Sequence, residues 1–178
     1  MSNIKMLLGE IHRAAQSDDR GMLAALRRGF SEATEQYAWP YIARYCDITD
    51  KRQRTIWLTV AAAAATLAPD GLDRSDCGNI GATMRNLALG SGEESGEAAL
   101  SKFENRFRRL LACDSDEELC RHIKNLIRAA SAKGVPVDVE QLFWDIQKWD
   151  DVEEPTSKMR WARVYWMDKE PGGGEGAV

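Results

Sequence analysis

The chain is short of the features by which most enzymes are recognised. Only two histidines occur, His12 and His122, far apart in sequence, and the four cysteines at 46, 77, 113 and 120 form no CxxC pair. That spacing favours reduced thiols buried as small apolar residues over a zinc site or a disulfide framework. The one glycine-rich stretch, GSGEESG at 90–96, lacks the Lys-Ser/Thr pair that grips phosphate and magnesium, which removes nucleotide hydrolysis. Long hydrophobic runs are also lacking. The longest, Ile56 to Ala68, is alanine-rich and too short to span a bilayer, and Lys5 precedes only Met6, Leu7 and Leu8, not the apolar core of a signal peptide. A cytoplasmic protein that makes no use of a membrane is expected. Strand signals are scarce as well, because β-branched residues never alternate with polar ones over a useful length.

What the chain does have is helix punctuation. Its 178 residues, 44% of them hydrophobic, suffice for one sizeable core or two small ones. Asp18 and Asp19 precede a helix expected to stop at Gly29 as its C′ residue, with Arg27 and Arg28 in the last turn. Asp50 with Gln53, Ser115 with Glu118 and Asp138 with Gln141 resemble capping boxes, and Pro155 is placed for the first turn of the helix that carries Trp161 and Tyr165. The fold class expected is all-α, with eight or nine helices in two small packed bundles and no sheet. The linker-like stretch at 90–96 divides an N-terminal bundle, 1–90, from a C-terminal bundle, 97–168. The residues after 168 have no apolar anchor and are expected to form a disordered tail.

Charge is sorted along this helical chain. The net charge is −4, yet residues 99–133 hold eight Lys and Arg against five Asp and Glu, and residues 134–157 hold one against seven. At about 100° per residue, Leu100, Phe103, Phe107, Leu110 and Leu111 share one helix face, with Lys102, Arg106 and Arg109 opposite. Leu119, Ile123, Leu126, Ile127 and Ala130 form a second apolar face, with Arg121, Lys124 and Arg128 opposite. Solvated faces ordinarily mix Glu with Lys at i,i+4 spacing, whereas these two are almost purely cationic. Arginine forks match phosphate oxygens, so an anionic polymer is the natural partner.

Catalytic groups do not assemble on this pattern. The acidic run Asp114, Asp116, Glu117 and Glu118 lies at a helix start, where carboxylates complement the dipole without any metal. Cys120 and His122 point about 200° apart on a helix and cannot form a nucleophile pair. Trp144, Trp149 and Trp161 fit core positions beside Leu142, Phe143 and Ile146. Trp39 and Trp57 read as packing residues. Trp166 falls off the core stripe, open either to stacking on an unpaired base or to capping the contact between bundles.

The segments RGMLAALRRG (20–29), IGATMRNLALG (80–90), FENRFRRLLACDSDEELCRHIKNLIRAA (103–130), PVDVEQLFWDIQKWDD (136–151) and KMRWARVYW (158–166), in that order, resemble the CasB family, the small subunit of the type I-E CRISPR Cascade complex. The likeness runs over about residues 4–167. It implies an all-helical, non-enzymatic subunit, present in two copies beside the other Cascade subunits and the guide RNA. Its implied role in antiviral defence is to hold the displaced non-target strand of DNA, single-stranded and without sequence preference, and so stabilise the R-loop. On this likeness the DNA-binding cations are Arg27, Arg28, Arg52, Arg106, Arg109, Lys124, Arg128, Arg160 and Arg163. No cofactor, catalytic residue or metal ligand is implied. The competing reading is a helical protein–protein adaptor whose arginines are solvated or paired with acids.

Overall fold

Alanine favours helix while leaving room for neighbours to approach closely, and the five consecutive alanines 61–65 place one helix at the centre of this fold. The computed structural model describes residues 2–90 and 96–167. Nine α-helices run through the described residues: α1 (Asn3–Gln16), α2 (Arg20–Arg27), α3 (Trp39–Ile42), α4 (Lys51–Leu67), α5 (Ile80–Leu89), α6 (Gly96–Leu111), α7 (Asp116–Lys133), α8 (Val139–Gln147) and α9 (Ser157–Trp166). Short 3₁₀ turns occupy Arg28–Phe30, Glu35–Tyr37 and Ala68–Asp70. There is no strand among the described residues; a single bridge joins Asp73 to Val137, tying the loop before α5 to the loop before α8. The protein is all-α. No described helix is long and apolar enough to cross a membrane.

Every residue of α4 from Ile56 to Ala65 is buried, as a helix that is apolar on all sides requires. It is walled by α1 and α2 from the first half of the chain and by α7 and α8 from the second. A further layer is made where α5 packs against α6 and α9. The buried apolar residues from Ile4 to Tyr165 form one cluster across both halves. The stretch 91–95, at the expected boundary between bundles, lies outside the described residues, as do residues 168–178, which include the expected tail, and the side chains of Glu97 and Lys102.

Local signals explain most of the helix starts. Asp50 accepts a hydrogen bond from the Gln53 backbone N–H at 2.9 Å, Asp138 from Gln141 at 2.8 Å and Ser115 from Glu118 at 3.2 Å. Asp19 caps α2 through Met22 N–H at 3.0 Å. Each replaces a partner that the first turn of a helix lacks.

Three expectations are corrected. Gly29 is not a left-handed C′ residue: α2 ends at Arg27 and Gly29 continues in a 3₁₀ turn. Glycine fits closely there: a Cβ would come within 3.2 Å of both the carbonyl oxygen and the Cδ2 of Leu58 on α4, which would have to give by a few tenths of an ångström. Pro155 precedes the cap of α9 and does not enter its first turn; Thr156 is the cap, accepting from Met159 N–H at 3.3 Å. Trp144 is not a core residue. It is 41% exposed, because α8 turns Leu142, Phe143 and Ile146 inward and leaves Trp144 at the margin, edge-on to Phe143.

The other indoles pack as their pattern implies. Trp149 and Trp161 are buried with ring centroids 4.9 Å apart. Trp166 caps the α6–α9 contact, lying edge-on to Phe107 at 5.3 Å, with the Arg108 guanidinium over its ring at 5.4 Å.

Candidate nucleic-acid interface

The cations named from the sequence separate into three environments. The first holds arginines that the fold itself uses. Arg27 Nε donates to Ala65 O at 3.0 Å, closing a carbonyl near the end of α4. Arg52 pairs with Asp116, and its NH2 group donates to Gln147 O at 3.0 Å, linking the starts of α4 and α7 to the end of α8. Arg160 donates to Asp145 Oδ1 at 3.0 Å, Ser157 Oγ at 2.8 Å and Pro155 O at 2.6 Å. Asp145 is fully buried, so its ion pair with Arg160 is internal. Arg28 is exposed, with its guanidinium 4.4 Å from the ring centroid of Tyr37.

The second environment is a cleft of about 450 Å³ between α4, α7 and the segment around Gly29–Glu35. Lys51, Arg54, Arg121 and Lys124 line it together with Glu32 and Glu35. Its charges are largely matched. Arg54 pairs with Glu35 at 3.1 Å, and Lys51 and Arg121 share Glu117 at 3.1 and 3.3 Å. Lys124 donates to Phe30 O at 3.3 Å.

The third is a groove of about 390 Å³ between α6 and α7, floored by Met84 and Leu87 of α5. Arg106, Arg109 and Phe103 stand on the α6 side, and His122 and Asn125 on the α7 side. No carboxylate lines it among the described residues. Phe103 is half-buried and carries cations on its ring, with Arg106 at 5.0 Å and Lys133 at 5.4 Å from the centroid. Arg128 and Arg163 are among the lining residues of neither the cleft nor this groove. Like Arg109 they are exposed, and none of the three, nor Arg106, forms an ion pair among the described residues.

The two helical stripes therefore line grooves on opposite sides of α7, with Arg106 and Arg109 in one and Lys124 in the other. The sequence reading did not single out Lys133 or Phe103 for this surface. Phe103 was hidden by its place on the apolar stripe, and Lys133 lies one turn beyond the cations counted on α7.

The acidic run at the start of α7 is structural in its contacts. Asp116 meets Arg52, Glu117 meets Lys51 and Arg121, and Glu118 accepts from Asp114 N–H at 2.9 Å. Ion pairing with Lys51 is the main reason the Glu117 carboxyl is held below its ordinary range. The four cysteines are free thiols. Burial is the leading cause that pushes Cys120 up to about 12 and Cys46, Cys77 and Cys113 each to about 11, which is the behaviour of inert thiols and not of nucleophiles.

The protein is an all-helical one with a basic groove that, among the described residues, no carboxylate lines. The sequence profile of one family, CRISPR-associated protein Cse2, matches residues 22–166, and the chain belongs to that family. Membership makes it a subunit of the CRISPR Cascade complex. No curated protein and no solved structure matches the chain.

Proposed function

We propose that this chain is a non-catalytic Cascade subunit that holds the displaced non-target DNA strand and so stabilises the R-loop. The observation that supports the reading is the α6–α7 groove, which Arg106, Arg109 and Phe103 line with no carboxylate among the described lining residues. Exchanging a DNA duplex for an RNA–DNA hybrid is nearly balanced in free energy, so modest capture of the ejected strand shifts the equilibrium. Cations released from each neutralised phosphate drive such binding, and an aromatic ring accepts any base as a stacking partner. Sequence preference is not needed.

In this reading Arg106, Arg109, Arg128 and Arg163 contact phosphates directly. Lys124, in the cleft on the other side of α7, and the exposed Arg28 are secondary contacts, Arg27 keeps its guanidinium NH groups for a phosphate while its Nε serves Ala65 O, and Arg52 and Arg160, neutralised by Asp116 and Asp145, contribute little. The protein works in the cytoplasm, beside a second copy of itself, the other Cascade subunits and the guide RNA. The ion-paired state of Arg52 and Arg160 favours the rival reading of a protein–protein adaptor. Fluorescence anisotropy of a labelled single strand distinguishes the two. If about five phosphates are contacted, log affinity falls by about 3.5 per tenfold rise in salt; no binding, or binding without salt dependence, supports the adaptor.

A further inference from the structure

Cys113, Glu118 and His122 belong to no spacing motif, yet one donor atom of each lies within 4.8 Å of the other two. The α6–α7 turn brings them together. Cys113 follows the last residues of α6, Glu118 is the third residue of α7, and His122 lies four residues on, over the same helix face.

Two of the three are held in place by their neighbours. The Cys113 carbonyl accepts from Trp149 Nε1 at 3.0 Å and from Lys158 Nζ at 2.7 Å, which pins the cysteine backbone. Glu118 Oε2 accepts from Asp114 N–H at 2.9 Å, which orients the carboxylate and leaves Oε1 without a hydrogen bond among the described residues. Such outer contacts are what keep a ligand set aimed. A thiol, an imidazole and a carboxylate together make a borderline-soft donor set.

We propose that Cys113, Glu118 and His122 bind one divalent transition ion of the zinc class, with the fourth position open to water or to a donor from a partner. Metal–ligand distances of about 2.0–2.3 Å place neighbouring donors about 3.3–3.7 Å apart in a tetrahedron, so donors now within 4.8 Å of one another would close by up to about 1.5 Å on binding. In the free protein the Cys113 thiol donates to Arg109 O at 3.4 Å. Binding breaks the S–H bond, releases the proton to solvent and forms the metal–sulfur bond. The ion would staple α6 to α7 and add positive charge beside the groove that His122 lines. This site stands independently of the strand-holding reading.

The test is titration of the reduced full chain with Co²⁺, whose spectrum reports its ligands. One equivalent is expected to produce a thiolate-to-cobalt charge-transfer band and tetrahedral visible bands, both erased by Zn²⁺. His122→Ala is expected to weaken binding about tenfold or more, and Cys113→Ser to abolish the charge-transfer band. His122 lies on the groove wall, so its variant keeps the test open if the buried Cys113 variant fails to fold. The proposal is overturned by the absence of a charge-transfer band in the unaltered chain, by a band that persists in Cys113→Ser, or by His122→Ala binding cobalt as tightly as the original.

Discussion

Trp161 donates its indole N–H to Asp145 Oδ2 at 2.6 Å, while Arg160, the next residue along, holds Oδ1 of the same carboxylate at 3.0 Å. Gln141 Nε2 donates to Oδ1 as well, at 3.0 Å. One buried carboxylate thus fastens α9 to α8. Removing it leaves the buried Trp161 indole N–H without an acceptor and the Arg160 guanidinium without its counter-charge, held only by Ser157 Oγ and Pro155 O. Asp145→Ala is expected to cost about 3–5 kcal/mol, which lowers the melting temperature by about 10 °C or more in a chain of this size. Calorimetry checks this; a shift below about 3 °C would show that the carboxylate is dispensable.

Gly81 lies in the first turn of α5 beneath α9, and a Cβ there would overlap the carbonyl oxygen of Trp161. Helix propensity alone favours Gly81→Ala by about 1 kcal/mol. Overpacking against backbone outweighs it, at about 1–3 kcal/mol or more, because neither helix can shift without opening the core. The denaturation midpoint of the alanine variant is therefore expected to fall. A rise would mean that α5 and α9 have room to separate.

These two contacts mark what was legible beforehand. The caps at Asp50, Ser115 and Asp138 are local in sequence, within three residues of the N–H they serve, so the residues announce them. The apolar stripe of α7 is equally local, and all of Leu119, Ile123, Leu126, Ile127 and Ala130 are buried. Arg160 looked like one more solvent-facing cation because Asp145 lies 15 residues away on another helix. Trp144 matched a helical apolar position, but periodicity cannot show where a stripe ends. The α6–α7 groove depends on α5 as its floor, and the approach of Cys113 to His122 depends on the turn between two helices. Neither is encoded at any single spacing.

His12 and Asp73 give the fold a pH dependence of known sign. His12 Nε2 lies 2.9 Å from Asp73 Oδ2, and that hydrogen bond is the main cause that raises the histidine above its ordinary 6.5, against the opposing effect of burial. A raised folded value stabilises the protein in full below the unfolded value of about 6.5, and the contribution disappears as pH rises through the folded value. His12→Gln is expected to lower the melting temperature relative to the unaltered chain at pH 5.5–6 and to leave it unchanged at pH 9. A constant difference across that range would show that the pair does not titrate as described.

Lys124 separates the two grooves experimentally. Its ammonium binds Phe30 O in the cleft beside α4, away from Arg106 and Arg109. Lys124→Ala is expected to weaken single-strand binding less than Arg106→Ala does, measured by anisotropy at one fixed low salt concentration. The reverse order would move the strand to the cleft beside α4.

The most direct measurement is the salt dependence of single-strand affinity for the unaltered chain and for Arg106→Ala combined with Arg109→Ala. Both side chains are exposed and without ion pairs among the described residues, so the melting temperature should stay within about 1 °C. Loss of two phosphate contacts is expected to lower the slope of log affinity against log salt by about 1.4 and to weaken binding alike for all sequences. An unchanged slope and affinity in the folded double variant would contradict the assignment of the α6–α7 groove to the displaced strand.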